Sequence, residues 1–307
     1  AIKQAMTIDK KYLALKPSQK SYTKDAKSVF NSYLDANDTV KKYILNSTKI
    51  SNLASTLKEP QDKVDLFERT INNVYEEVYS NDLVNKTTIA NIKAVINTYE
   101  NTIKPYAKYN NLVDSDVMKK YKKLTPIVDV YNQIFNLKAT PTTELQRENI
   151  LTAKKAFNKL DTFGKAVIQI EDKVQPKLRL LDDEKQIIEA KKIDGMYKLL
   201  NVNDTKYESK LYNVYKEYVK ATDDVKNYVI NKGILTAVPA KYDKAIKAAI
   251  VFEESVKSIN RTSKIINVHQ LKAIYDQNKK VAPEFVQFVD PAIMKKYDEY
   301  IQLLFIQ

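Results

Sequence analysis

Phe30-Asn31-Ser32-Tyr33-Leu34-Asp35-Ala36-Asn37-Asp38-Thr39-Val40-Lys41-Lys42-Tyr43-Ile44 aligns without a gap on Tyr215-Lys216-Glu217-Tyr218-Val219-Lys220-Ala221-Thr222-Asp223-Asp224-Val225-Lys226-Asn227-Tyr228-Val229. The aromatic, aliphatic, alanine and aspartate positions coincide. The same frame fits with Phe30, Ile96, Phe157, Tyr215 and Tyr275 as anchors, spaced by 66, 61, 58 and 60 residues. Such periods are the signature of repeat architectures, and they decide the fold before any local reading does.

Within the frame the apolar positions recur. Four residues before the anchor stand Ala26, Ile92, Ala153, Leu211 and Leu271; one before stand Val29, Val95, Ala156, Val214 and Ile274. Three after come Tyr33, Tyr99, Leu160 and Tyr218, with Asn278 the exception. Residues three or four apart share a helix face, so these offsets define one amphipathic stripe. Val40, Tyr106, Val167, Val225 and Phe285, followed three residues later by Tyr43, Tyr109, Ile170, Tyr228 and Phe288, begin a second stripe on the next helix. A third helix follows: Val113–Tyr121 parallels Val289–Tyr297 in sequence.

The expected fold is all-α: tandem three-helix bundles, about five repeats of roughly 60 residues, in an elongated or bent array. The units are 1–81 (a terminal cap segment plus the first repeat), 82–140, 141–203, 204–262 and 263–307. Pro60, Pro176, Pro239 and Pro291 are expected to open third helices and Pro105 and Pro283 second ones, where a missing N–H is harmless. Pro126 predicts a kink or break. Ser80-Asn81-Asp82, Ala139–Glu144, Asn201–Thr205 and Asn260–Ser263 read as joints, the last as the one most suited to a continuous helix. Ala248–Phe252 and Leu303–Ile306 read as buried helix faces.

Composition agrees. Gly numbers 3 and Pro 9 in 307 residues, too few for the turns of a sheet protein, and apolar residues make up 44%, enough for packed cores. No apolar stretch approaches the roughly 20 residues that span a bilayer. The first residue is Ala1, which suggests a mature or excised chain.

The chain offers little to catalysis. It has no Cys and one His, His269, so thiol chemistry and the usual zinc sets are excluded, and His269 is expected on a helix surface. No Gly-rich phosphate loop exists. Asp182-Asp183-Glu184 and Asp223-Asp224 lack the pattern of a calcium loop; the first is expected on a solvated face and the second at a helix start. No enzyme activity and no cofactor are expected.

Net charge is +13, spread thinly with a modest maximum over 206–266. Diffuse positive charge favours weak contact with polyanions, and a solvated lysine-rich surface explains most of it. The densest cluster is Lys119-Lys120-Tyr121-Lys122-Lys123, a candidate polymer-binding site. Basic residues are nearly all lysine, whereas base and phosphate forks are normally arginine, so nucleic acid is not the expected partner. The 21 tyrosines fall largely on the core stripe and are expected to pack there with their hydroxyls at the bundle edge. Asn-x-Ser/Thr triplets at Asn37, Asn46, Asn85, Asn203 and Asn260 read as caps.

Phe30-Asn31-Ser32-Tyr33, Ile96-Asn97-Thr98-Tyr99 and Phe157-Asn158-Lys159-Leu160, in a Lys-rich, Cys-free repeat, resemble the helical N-terminal regions of S-layer and related surface proteins of Gram-positive bacilli. The resemblance implies an extracellular structural protein of the cell surface or wall, a scaffold or spacer. It also implies that basic surface residues hold an anionic secondary cell-wall polymer, with other copies of the chain as further partners. Two other readings stand beside it: a helical scaffold binding a partner protein in inter-bundle grooves, and a membrane-active helical toxin, which the lack of a long apolar hairpin disfavours.

Overall fold

The computed structural model describes residues 1–80, 83–259 and 264–302, and all regular structure among them is helical. In chain order the α-helices are α1 (Ile2–Leu13), α2 (Tyr22–Leu34), α3 (Asp38–Lys41), α4 (Ser47–Tyr79), α5 (Thr88–Thr98), α6 (Ala107–Asn110), α7 (Ser115–Phe135) and α8 (Glu144–Lys159). Then follow α9 (Thr162–Gln169), α10 (Gln175–Leu178), α11 (Glu184–Lys198), α12 (Tyr207–Lys220), α13 (Asp223–Tyr228), α14 (Lys232–Ser258), α15 (Lys264–Val281) and α16 (Pro291–Gln302). The chain divides into two compact units. One comprises 1–137 and 149–181, the other 138–148 and 182–307, so the division falls inside α8.

In the first unit α4 is the spine, packing against α2, α5, α6 and α7. Its 33 residues give a length of roughly 50 Å at 1.5 Å per residue. Ile50, Leu53, Leu57, Pro60, Val64, Phe67, Ile71, Val74 and Val78 are its buried positions, an alternation of three and four without a break. That is the 3.5-residue period of a coiled-coil seam. In the second unit α14 buries Leu235, Val238, Tyr242, Ala245, Ala249, Phe252 and Val256, the same series displaced by 185 residues, and packs against α12, α15 and α16.

The frame positions fall where the periodicity puts them on the first helices. All five residues four before the anchor are buried, and all five anchors are half-buried. On the second helices Val40, Val167, Val225 and Phe285 are buried, but Tyr106 is exposed. The reason is a π-helical turn, Tyr99–Ile103, that prolongs the helix begun by α5 and shifts the following turn, so that the frame position Tyr109 is buried together with Leu112 while Tyr106 turns outward. Tyr43 and Ile170 are likewise exposed.

The prolines divide. Pro176 and Pro283 stand in the first turns of their helices and Pro291 is the first residue of α16. Pro60 lies inside α4 instead, because the helix starts thirteen residues earlier, and Pro105 lies in the turn before α6. Pro239 lies inside α14, which bends at Tyr242 (φ −118°, ψ 18°), and α7 runs through Pro126. Gly164 allows the close approach of α9 to α7: a Cβ there would meet Ile127 Cγ1 at 3.2 Å. Of the run Ala248–Phe252, Ala249 and Phe252 are buried while Ile250 and Val251 are exposed. The run Leu303–Ile306, Asn81-Asp82 and the joint Asn260–Ser263 lie outside the described residues.

Candidate functional site

The cluster Lys119–Lys123 occupies the second turn of α7. At about 100° per residue the four lysines cover an arc of roughly 160°, and Tyr121 points away from its centre. Tyr121 is accordingly buried, with its hydroxyl donating to Glu100 Oε1 at 2.8 Å. Burial, and then the bond to Glu100, pushes its pKa up to about 12. Tyr121 therefore belongs to the core and offers no surface.

The lysines differ. Lys119 is neutralised by Asp116 at 2.7 Å. Lys120 Nζ donates to Asn72 Oδ1 at 2.6 Å and sits over the Tyr75 ring, 5.4 Å from its centre. Lys123 Nζ donates to the Tyr75 hydroxyl at 3.2 Å and lies 5.5 Å from the Tyr79 ring. Tyr75 and Tyr79 stack at 4.4 Å, and Phe163 of α9 closes against Tyr79 at 5.3 Å. Lys122 is exposed. Among the described residues no carboxylate pairs with Lys120, Lys122 or Lys123, so three positive charges stand uncompensated beside a half-buried aromatic ledge. Tyr75 and Tyr79 fall outside the repeat frame, and only their α4 periodicity could have linked them to the cluster. Asp161 beside Tyr79, after burial, raises that hydroxyl's pKa.

A second constellation was not apparent from charge or motif. Asp9 of α1 is buried, and its carboxylate accepts from the backbone N–H groups of Leu45 and Asn46 and from Asn46 Nδ2, each at 2.9 Å. Asp194 of α11 repeats this on the N–H groups of Ile230 and Asn231 (3.1 Å each) and on Asn231 Nδ2 (2.9 Å). Asn46 and Asn231 stand at the N-caps of α4 and α14. Glu68 of α4 accepts from the N–H of Asp114, the N-cap of α7, at 2.6 Å. Glu253 of α14 accepts from the N–H of Asp290, immediately before α16, at 2.7 Å. Each carboxylate satisfies donors that a helix start leaves without an intrahelical partner. Burial pushes the Asp9 carboxyl up, but the three donors outweigh it and hold it below its usual range.

Asp194 carries one further bond. Arg147 of α8, 1% exposed, donates through one terminal nitrogen to Asp194 Oδ2 at 2.6 Å and to the Tyr228 carbonyl at 3.1 Å, and through the other to Glu144 at 2.5 Å. Burial raises the Glu144 carboxyl; the bond and charge of Arg147, then Lys191, bring it below the ordinary range.

The acidic runs are placed differently from one another. Asp183 stands at the N-cap of α11 and accepts from the Tyr228 hydroxyl, rather than lying on a solvated face. At α13 the capping side chain is Thr222, with Asp223 and Asp224 in the first turn. Asn37 caps α3 through its side chain. His269 is exposed on α15. Among the described residues no group of three or more His, Asp or Glu could hold a metal ion, and no helix is long and apolar enough to cross a membrane. No protein-family model, no curated protein and no solved structure matches the chain.

Proposed function

We propose that the chain is a non-enzymatic structural protein of the cell surface, a tandem helical array of the S-layer or wall-attached kind that serves as scaffold or spacer. The observation that carries this reading is the carboxylate relay. On α1, α4, α11 and α14 an acidic side chain accepts from the backbone at the start of the next long helix but one in the chain. Residues invested in repeating one junction support an architectural role. A site for chemistry would instead concentrate perturbed groups in one cleft.

The ligand we assign to the array is an anionic secondary cell-wall polymer, held by Lys120, Lys122 and Lys123 with Tyr75 and Tyr79 as an aromatic ledge. Uncompensated ammonium groups beside a ring suit a polyanionic sugar chain: charge gives long-range attraction and the ring a flat face. Cosedimentation with purified phosphate- or carboxylate-bearing wall polysaccharide tests this. Binding should fall steeply between about 10 and 150 mM ionic strength, over which the screening length drops from roughly 30 to 8 Å. A chain carrying Lys120→Glu and Lys123→Glu should lose most of it. No binding at low salt, or equal binding by that variant, rejects the polymer role and leaves the spacer.

One observation favours a second reading, a scaffold for a partner protein. A groove of about 340 Å³ lies between α4 and the α5 helix with its π-helical extension, lined by Leu66, Phe67, Val95 and Ile103, with Leu66 exposed. Such an apolar groove suits an amphipathic helix.

A further inference from the structure

The first helix of the chain has an internal counterpart. Residues 2–15 match 187–200 at Ile2/Ile187, Ala5/Ala190, Ile8/Ile193, Asp9/Asp194, Tyr12/Tyr197 and Leu15/Leu200, all displaced by 185 residues. The displacement is that of the two repeat stretches and of the seams of α4 and α14, and the Asp9 and Asp194 carboxylates hold equivalent backbone groups. One partner differs. Asp194 Oδ2 accepts from both Ile230 N–H and Arg147, whereas Asp9 Oδ2 accepts from Leu45 N–H and, among the described residues, from no arginine.

The surroundings change with it. Ile187 and Tyr228 are 0% and 3% exposed; their counterparts Ile2 and Tyr43 are 58% and 50% exposed. Met6, in the place of Lys191, which reaches Glu144 and Glu148, is 66% exposed, and Leu45, in the place of half-buried Ile230, is 91% exposed. Four large apolar side chains thus ring a buried carboxylate that has an acceptor site to spare. Clustered exposure of this kind marks a contact surface, where single exposed apolar residues do not.

We propose that Ile2, Met6, Tyr43 and Leu45 around Asp9 form a docking face for a helix of the α8 type, supplied by another repeat, whose arginine inserts onto Asp9 Oδ2 and the Tyr43 carbonyl. The occupant is defined by the site that already has one. Residues 144–147 bring Arg147, itself bonded to Glu144, onto Asp194, and the same chemistry fits Asp9. The apolar ring replaces solvent around the new ion pair, which gives the pair its strength and makes an arginine-free helix a poor substitute. The inference rests on the repeat reading above but not on the polymer.

The test uses the full chain and a fluorescein-labelled synthetic peptide of residues 138–159, followed by anisotropy. The peptide should bind saturably. Met6→Lys or Leu45→Lys in the chain, both at exposed positions that leave the fold intact, should weaken binding at least tenfold. Arg147→Met in the peptide should do the same. Absence of peptide binding, or binding that ignores both chain variants, overturns the proposal. Failure of polysaccharide binding leaves these outcomes untouched, since no polymer is present.

Discussion

Replacing Asp194 with alanine should be far more damaging than the same change at Asp9, although the two carboxylates hold the same three donors. Removing Asp9 strands the N–H groups of Leu45 and Asn46 at a position 7% exposed, where water reaches them in part. An unsatisfied buried donor costs about 1–3 kcal/mol, and partial hydration brings the pair to about 2 kcal/mol in all. Asp194→Ala strands the equivalent pair and also leaves Arg147, 1% exposed, with Glu144 as its one remaining carboxylate among the described residues. Breaking one partner of a buried ion pair costs about 3–5 kcal/mol by itself. The sum, about 5–7 kcal/mol, is comparable with the whole stability of a small domain. Urea unfolding followed by far-UV circular dichroism reads both variants, and exchange of the Asn46 and Asn231 amides localises the loss. Asp194→Asn should not rescue, because its amide must set a donor against either Arg147 or the N–H of Asn231. A cost below about 1.5 kcal/mol for Asp194→Ala, or one no larger than that of Asp9→Ala, refutes the reasoning.

Further outcomes are expected at three sites. Glu59 accepts from Tyr109 Oη at 2.6 Å and pairs with Lys63 and Lys108, which together hold its pKa at about 2. Its folded pKa is depressed, so its stabilising effect is fully present above about pH 4.5 and is lost as pH falls toward 2; carboxyl-carbon NMR showing titration near 4.5 would contradict this. Phe252, fully buried against Tyr275, Phe285 and Tyr297, should cost about 3–5 kcal/mol on replacement by alanine. Calorimetry should show that loss in the transition of the second unit while the first is unmoved. Pro60→Ala in the middle of α4 should stabilise by about 1–2 kcal/mol, since a proline inside a helix costs about 3 kcal/mol relative to alanine and the ring's own burial offsets part of that. A lowered urea midpoint would show that the ring's packing outweighs the lost backbone bond.

How far the sequence is legible can be judged residue by residue. Ala26, Ile92, Ala153, Leu211 and Leu271 are all buried because a single amphipathic stripe needs only local periodicity, which one sequence displays in full. The second helices are less legible. They are one or two turns long, so an insertion such as the π-helical turn at Tyr99–Ile103 leaves Tyr109 buried as the frame requires but turns Tyr106 outward, and no period is long enough to reveal it. Tyr121 is hard to read for a related reason: within Lys119–Lys123 the charge density points to a surface, while the helical angle sends the aromatic inward. The relay was hidden because Asp9 and Asp194 each sit in a lysine-containing helix and look like solvated residues. The available signal was comparative: six identities between 2–15 and 187–200, followed 37 residues after each aspartate by Asn46 and Asn231.

The relay also settles a question that the apolar seams leave open. The buried residues of α4 and α14 alternate by three and four, a pattern that maps onto itself after seven residues. Apolar packing along such a seam tolerates a slip of one heptad, because another aliphatic side chain then meets the same hole. A buried carboxylate does not tolerate it. One heptad displaces a side chain by about 10 Å along the axis, far beyond hydrogen-bond reach, and would leave Asp194 and Arg147 facing aliphatic groups. The correct register is therefore favoured by the full cost of orphaning those groups, several kcal/mol at Asp194 and less at Asp9, where no arginine is engaged. The seams hold the long helices together, while Asp9, Glu68, Asp194 and Glu253 each hold the backbone at the start of another helix and so oppose its slipping along its axis.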